Sequence, residues 1–194
     1  MRLNGAVDKL LRSKTEPGTE ADKRVRNEIR DRASDLFDYT ELCKRALGEH
    51  WAKMAEKQRT DFVATLQELI ERNYIRQLRT NLDYEVTYGE EQVEGPEAKI
   101  ATQIKIRTKG KSTNATIDYR MLQGARGWLV YDVITDEVSL VRNYRSQFQR
   151  IIASSGYDGL LNRMKTKLTE EKEKEAKEEK ERTAAPAPAA APKG

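Results

Sequence analysis

The spacing of hydrophobic residues changes twice along the chain. In the first 80 residues they recur every three or four positions, which is typical of amphipathic helices. From Leu82 they alternate with polar residues over four segments joined by short turns, which is typical of strands. From Ser139 the helical spacing returns. The pattern predicts an α+β fold, with a helical N-terminal half packed on a curved four-stranded antiparallel meander and with C-terminal helices.

Residues 127–148 form the segment around which the other predicted elements are organised. Its first part is rich in β-branched and aromatic residues and contains nothing that breaks a strand. Strict alternation gives this strand two faces, with Trp128, Val130, Asp132 and Ile134 on one and Leu129, Tyr131, Val133 and Thr135 on the other. Both sets are largely apolar, so we expect the strand to be covered on both sides. A short turn then leads into a helix that Ser139 caps.

Local signals set the expected boundaries of other elements. Thr19 and Thr40 are placed to cap two early helices, and the longest helix is expected at residues 56–77. Residues 89–95 begin and end with glycine and are expected to form a loop between the first two strands.

The chain is expected to contain one domain and two appended segments. The domain spans residues 1–168. Residues 169–182 alternate Glu and Lys without an apolar stripe, which predicts a solvated helical extension that frays. Residues 183–194 are an Ala/Pro tail that we expect to be disordered.

Composition narrows the class of protein. Charged residues make up 35% of the chain, the formal net charge is +4, and the two signs are interspersed, so nucleic-acid binding is favoured only weakly. No apolar stretch approaches the roughly 20 residues that a membrane span requires. The single cysteine, Cys43, cannot form an intramolecular disulfide, and its helical setting predicts a small buried residue rather than a reactive thiol.

The chain offers little material for catalysis. His50 is the only histidine and lies among charged residues, so we expect it to be structural or solvent-exposed. The sequence contains no nucleophile elbow, phosphate-binding loop or metal-ligand spacing. Asp132 lies among apolar residues, and because a buried carboxylate needs a partner we expect Arg120, Arg142 or Arg145 beside it.

The apolar side chains of the predicted sheet have two interpretations. They fill a close-packed core against the helices, as most apolar side chains do. Alternatively, a curved sheet and its helices enclose a long apolar cavity. Periodicity alone does not separate the two.

A resemblance to a known family separates them. The motif residues are Trp128, Tyr131, Asp132, Val138, Ser139, Leu140, the run NYRSQF at residues 143–148, and Gly156, Asp158, Gly159 and Leu160. Upstream, residues 45–48 read RALG, and residues 62–74 form an amphipathic segment. The order and spacing of these segments over residues 7–168 resemble the MlaC family, periplasmic phospholipid carriers also called toluene-tolerance auxiliary proteins.

The resemblance implies a cone-shaped fold, similar to cystatin-like and NTF2-like domains, in which an apolar cavity holds the acyl chains of a phospholipid. It implies a carrier rather than an enzyme, with phospholipid as bound cargo and with no cofactor and no metal. The implied location is the periplasm, with the family's export signal removed. The implied partners are an inner-membrane MCE-protein ABC transporter complex and an outer-membrane lipoprotein-porin complex. We expect a monomer that does not bind nucleic acid.

The residues that we assign to the cavity come from one helix of the N-terminal half, from all four predicted strands and from the following helix. They are Leu66, Leu69, Ile70, Tyr74, Tyr84, Val86, Ile104, Ile106, Ile117, Tyr119, Met121, Trp128, Val130, Tyr131, Val133, Leu140, Val141, Tyr144 and Phe148.

Two other classes of protein stay open. One is an NTF2-like cone-fold enzyme, or a binding domain for another small hydrophobic ligand. The other is a basic interaction module for nucleic acid or an anionic membrane surface, whose affinity would fall steeply with salt.

Overall fold

A computed structural model describes residues 19–80, 84–108 and 111–184, except for the side chains of residues 26, 33, 74–80, 108, 178, 179 and 182–184. The helices are α1 (Glu20–Leu36), α2 (Tyr39–Leu47), α3 (Glu49–Ala52), α4 (Glu56–Thr80) and α5 (Leu140–Ala184). The strands are β1 (Tyr84–Glu94), β2 (Glu97–Thr108), β3 (Lys111–Gly124), β4 (Gly127–Thr135) and β5 (Val138–Ser139). The α+β class and the antiparallel meander are confirmed.

The sheet has five strands in the order β1-β2-β3-β4-β5, so the predicted count of four was wrong. The fifth strand has two residues and follows a turn in which Asp136 and Glu137 both have positive φ angles. The predicted loop at residues 89–95 was also wrong. Most of this segment pairs with β2, and the register shifts between Tyr88 and Glu91. Such a shift allows Gly89 to stay in the strand. A Cβ atom added to Gly89 would lie 3.4 Å from the carbonyl oxygen of Ala101, so the two backbones approach closely here.

Side-chain caps fix where the first helices begin. Thr19 caps α1 as predicted, because its hydroxyl accepts the Asp22 N–H at 3.2 Å. The predicted Thr40 cap was wrong by two residues. Asp38 caps α2 instead, and its Oδ1 accepts the Glu41 N–H at 2.9 Å. Helix α4 matches the predicted long helix closely.

A closed apolar core joins α2, α4 and α5. We call it the helical core; its buried members are Tyr39, Leu42, Cys43, Ala46, Leu47, Met54, Phe62, Leu66, Ile70, Leu140, Val141, Phe148, Leu160 and Met164. Phe62 is fully buried and meets Phe148 edge to face, with ring centroids 5.4 Å apart. Cys43 is buried here as predicted, and this burial raises the pKa of its thiol and makes it unreactive.

The helices meet the sheet mainly at β4 and β5. Asp132 lies at this junction and is 2% exposed. Its carboxylate accepts the Ser139 hydroxyl at 2.7 Å and the Val141 N–H at 3.0 Å. Ser139 in turn accepts the Arg142 N–H at 3.1 Å, which confirms it as the cap of α5. The predicted arginine partner was therefore wrong, because the N-terminus of α5 compensates the buried carboxylate.

Helix α5 is divided by a kink at Gly156, whose φ angle of 68° favours glycine. Close packing also requires Gly159, because an added Cβ would lie 2.5 Å from the Ser155 Cβ. Beyond the kink the helix packs on α4, where the Tyr157 hydroxyl donates to the Gln58 carbonyl oxygen at 3.0 Å.

The Glu/Lys-rich extension continues α5 and runs alongside α4. Lys172 pairs with Glu68 at 3.0 Å, and Glu175 pairs with Arg72. The helix includes residues 183 and 184, the first two of the expected Ala/Pro tail, and residues 185–194 lie outside the described residues. Within the described part of the chain, no helix combines the length and apolar character needed to cross a bilayer.

Candidate functional site

Strand pairing brings most of the apolar residues of the sheet onto one face. Residues directly opposite in an antiparallel pair share a face. Val86 lies opposite Ile104, Ile100 opposite Tyr119, and Tyr119 opposite Val133. We call this surface the apolar sheet face; its members are Tyr84, Val86, Tyr88, Val93, Ala98, Ile100, Thr102, Ile104, Ile106, Ala115, Ile117, Tyr119, Met121, Trp128, Val130 and Val133.

A β-bulge in β4 decides which of its residues belong to this face. Arg120 lies opposite Asp132, whereas the next residue, Met121, lies opposite Val130, so Tyr131 is an extra residue. A bulge reverses the alternation beyond it. Val130 and Val133 therefore share the apolar sheet face, while Asp132 and Ile134 lie on the other. The prediction that Trp128, Val130, Asp132 and Ile134 share one face was wrong for this reason.

The apolar sheet face is only partly buried. Val93 is 55% exposed and Tyr88 47%, and most of the other large side chains are partly exposed. Thr102, at 2% exposed, satisfies its hydroxyl by donating to the Ile117 carbonyl oxygen at 2.6 Å. Burial raises the pKa of Tyr119, whose hydroxyl faces Thr102. The opposite face of β1 to β3 is polar and carries ion pairs such as Lys99 with Asp118, at 2.7 Å.

The candidate residues on helices lie elsewhere. Leu66, Ile70, Leu140, Val141 and Phe148 are buried members of the helical core. Leu69 and Tyr144 are partly buried against that core, and the Tyr144 and Phe148 rings stack with centroids 5.3 Å apart. The side chain of Tyr74 lies outside the described residues. The structure thus gathers ten candidates on the apolar sheet face and seven in or against the helical core.

Tyr131, the bulge residue, has polar neighbours. The Arg45 guanidinium lies 4.0 Å from the centre of its ring, and its hydroxyl donates to Glu97 at 3.0 Å. Arg45 also donates to Glu97 and Glu41, each at 2.7 Å. The hydrogen bond from Arg45 lowers the pKa of the Glu97 carboxyl. This cluster ties α2 to β2 and β4.

Sequence reasoning missed six members of the apolar sheet face: Tyr88, Val93, Ala98, Ile100, Thr102 and Ala115. The same two-residue alternation could have found Tyr88, Thr102 and Ala115, because each lies two residues from a residue that was assigned to the cavity. Val93 lay in the expected loop, so its strand position was not available from alternation.

Two surface depressions are lined mainly by polar residues outside the apolar sheet face. One, of about 420 Å³, lies on the second half of α5 around Arg163 and Lys167, and the other, of about 300 Å³, lies around Glu85 and Lys105. Among the described residues, no group of three or more His, Cys, Asp or Glu side chains could hold a metal ion.

Helices joined to an antiparallel meander with one partly exposed apolar face define an α+β domain suited to binding an apolar ligand. The comparisons with known proteins agree with that class. The model of the MlaC protein family matches residues 3–166. The chain belongs to the MlaC family.

Two relatives give the range of similarity. The intermembrane phospholipid transport system binding protein MlaC of Haemophilus influenzae is 23% identical over 142 residues, which cover 71% of this chain and 66% of that protein. The chain thus spans slightly less than two thirds of this relative. The solved structure of the phospholipid-binding protein from Ralstonia solanacearum, in complex with a phospholipid, superposes with a TM-score of 0.68 at 18% identity and covers 87% of this chain and 92% of that one. This similarity confirms the fold.

Proposed function

We propose that this protein is a periplasmic phospholipid carrier that shields acyl chains in an apolar cavity formed over the apolar sheet face. The observation that carries the proposal is the register, which aligns large apolar side chains from four strands on one partly exposed face. Membership of the MlaC family, whose Haemophilus relative is named for phospholipid transport, supports the choice of ligand.

Such a surface suits a carrier because it binds without specific polar contacts. Each methylene group removed from water contributes ~0.8 kcal/mol. A diacyl lipid therefore gains about as much here as in a bilayer, and transfer in either direction stays reversible. No bond chemistry is needed, and the proposal is of a carrier and not an enzyme.

We assign direct lipid contact to the ten sheet candidates, from Tyr84 to Val133. Leu69 and Tyr144 are further candidates because they are only partly buried. Leu66, Ile70, Leu140, Val141 and Phe148 support the helical core, and Tyr131 supports the junction with α2. The carrier would exchange lipid with an inner-membrane MCE-protein ABC transporter complex and an outer-membrane lipoprotein-porin complex.

The first experiment is lipid extraction and mass analysis of the purified protein, which should release phospholipid. A matched pair of variants then locates the site. Ile104→Glu places a carboxylate on the apolar sheet face, whereas Gln103→Glu places the same charge one residue earlier, on the polar face. An unpaired charge against acyl chains costs several kcal/mol. Ile104→Glu should therefore lose bound phospholipid and Gln103→Glu should retain it.

Equal phospholipid content in both folded variants would show that the lipid does not bind on the apolar sheet face. Recovery of a different small hydrophobic molecule, with no phospholipid, would favour another ligand class.

A further inference from the structure

The first half of α5, residues 140–155, contains three arginines and no lysine, aspartate or glutamate. Arg142, Arg145 and Arg150 all lie on its exposed side; we call them the arginine face. The exposed residues between them are uncharged and polar: Asn143, Ser146, Gln147 and Gln149. This stretch differs from the second half of the same helix, where Glu and Lys alternate.

Main-chain carbonyl groups hold these arginines. Arg142 donates to the Glu137 carbonyl oxygen at 3.2 Å. Arg145 donates twice to the Arg45 carbonyl oxygen, at 3.0 and 2.5 Å. Arg150 donates to the Ser146 carbonyl oxygen within its own helix, at 3.3 Å. A carbonyl group fixes the orientation of a guanidinium without cancelling its charge. Most of the five N–H donors of the guanidinium stay available for a partner.

Several other arginines of the protein are neutralised locally. Arg45 pairs with Glu41 and Glu97, Arg72 with Glu68 and Glu175, and Arg107 with Glu85. In the described part of the chain, no carboxylate forms an ion pair with a member of the arginine face. The nearby carboxylate of Asp136 accepts the Thr116 N–H at 3.0 Å instead.

A membrane surface does not fit the arginine face. A helix that binds a bilayer places large apolar side chains in the lipid. The large apolar side chains of this half of α5 point into the helical core, with Val141 at 6% and Phe148 at 3% exposed. Oriented arginines with polar neighbours match instead the planar geometry of carboxylates.

We propose that the arginine face is a docking surface for an acidic protein surface. The contact is electrostatic and lies on the exposed side of α5, so it accelerates association and weakens with salt. The proposal does not rest on lipid binding, because neither the residues nor the readout involve the apolar sheet face.

The test uses the full chain, with poly-L-glutamate as the acidic polypeptide and with phosphatidylcholine–phosphatidylglycerol vesicles as the anionic membrane. Amide NMR shifts should move around residues 142–150 on addition of poly-L-glutamate. The double variant Arg142→Gln/Arg150→Gln should bind about tenfold more weakly at low salt. Arg145 is left in place because it also links α5 to α2.

The matched control is Arg126→Gln/Arg163→Gln, which removes the same charge from two exposed sites elsewhere. It should bind poly-L-glutamate nearly as well as the unmodified protein. Equal weakening in the two double variants would overturn the proposal by showing only a net-charge effect. Vesicle binding that depends on Arg142 and Arg150 would also overturn it, in favour of a membrane surface.

Discussion

The helical core and the apolar sheet face use the same kinds of side chain and differ in closure. In the helical core, Phe62, Leu42 and Leu47 are at most 1% exposed. On the apolar sheet face, Ile104, Ile117 and Tyr119 stay partly exposed, and Tyr88 is nearly half exposed. The core therefore supplies folding stability, whereas the sheet retains apolar surface that a ligand can cover. Substitutions that separate stability from ligand binding test this division.

The largest effect on stability is expected for Phe148→Ala. Phe148 packs between Phe62 and Tyr144 in the closed core. Its truncation should lower the free energy of unfolding by ~3–5 kcal/mol. Chemical denaturation of lipid-free and lipid-loaded protein should show the same loss. A loss confined to the loaded state would instead make α5 a gate over the ligand.

Asp132→Ala should lower stability by about 2–3 kcal/mol, because the Val141 N–H and the Ser139 hydroxyl lose a charged acceptor in a buried setting. The comparison variant is Asp118→Ala, which removes a partly exposed carboxylate from the same sheet. Denaturation curves should show a clearly smaller loss for Asp118→Ala. Similar losses would mean that the junction between β4 and α5 is not a separate source of stability.

Ile117→Ala should cost about 1 kcal/mol of folding stability, since its side chain is only partly buried. Its effect on lipid retention should be larger than that of Phe148→Ala, measured as phospholipid recovered per folded protein. The reverse ranking would contradict the division of roles between core and sheet.

The smallest effect is expected where the second half of α5 meets α4. Lys172→Gln/Glu175→Gln should lower stability by about 0.5 kcal/mol at low salt and by nothing measurable at high salt. Glu173→Gln/Lys174→Gln, on exposed positions of the same helix, is the control. Thermal unfolding at two salt concentrations distinguishes a docked extension from a merely solvated one.

This contact also predicts a dependence on pH. Burial raises the pKa of Glu68, but hydrogen bonds from Arg72 and Lys172 outweigh burial and leave the pKa below its usual value. The stabilisation is therefore complete above the unfolded pKa of roughly 4.3 and is lost as the pH falls through the lower folded value. Glu68→Gln should remove that part of the acid sensitivity in unfolding titrations.

Periodicity predicted most of the elements because their apolar stripes are long. Helix α4 and strands β2 to β4 fall near the expected positions, and Cys43 is buried as expected. The errors lie where one or two residues decide the structure. Thr40 and Asp38 are both good capping residues, and only the packed position of α2 selects Asp38.

The bulge and the fifth strand were beyond prediction for the same reason. Tyr131 belongs to an unbroken strand-forming run, and the extra residue becomes visible only in the pairing with Arg120 and Met121. The partners of Asp132 were missed although Ser139 was expected to cap the helix, because only the folded structure places Asp132 beside the Ser139 hydroxyl and the Val141 N–H. The membership of the apolar sheet face was largely predicted, since alternation and pairing have the same two-residue period.

The bulge at Tyr131 makes β4 sensitive to a change in length. On the N-terminal side of the bulge, Val130 lies opposite Met121. On its C-terminal side, Val133 lies opposite Tyr119. Deleting one residue here would bring the two halves into a single phase. Without Tyr131, Val130 and Val133 would stay on the apolar sheet face and Asp132 on the other, so the deletion would remove the bulge and the Tyr131 contacts with Arg45 and Glu97 but would keep both faces. An inserted residue would instead require a second bulge or would move one half of the strand to the opposite face.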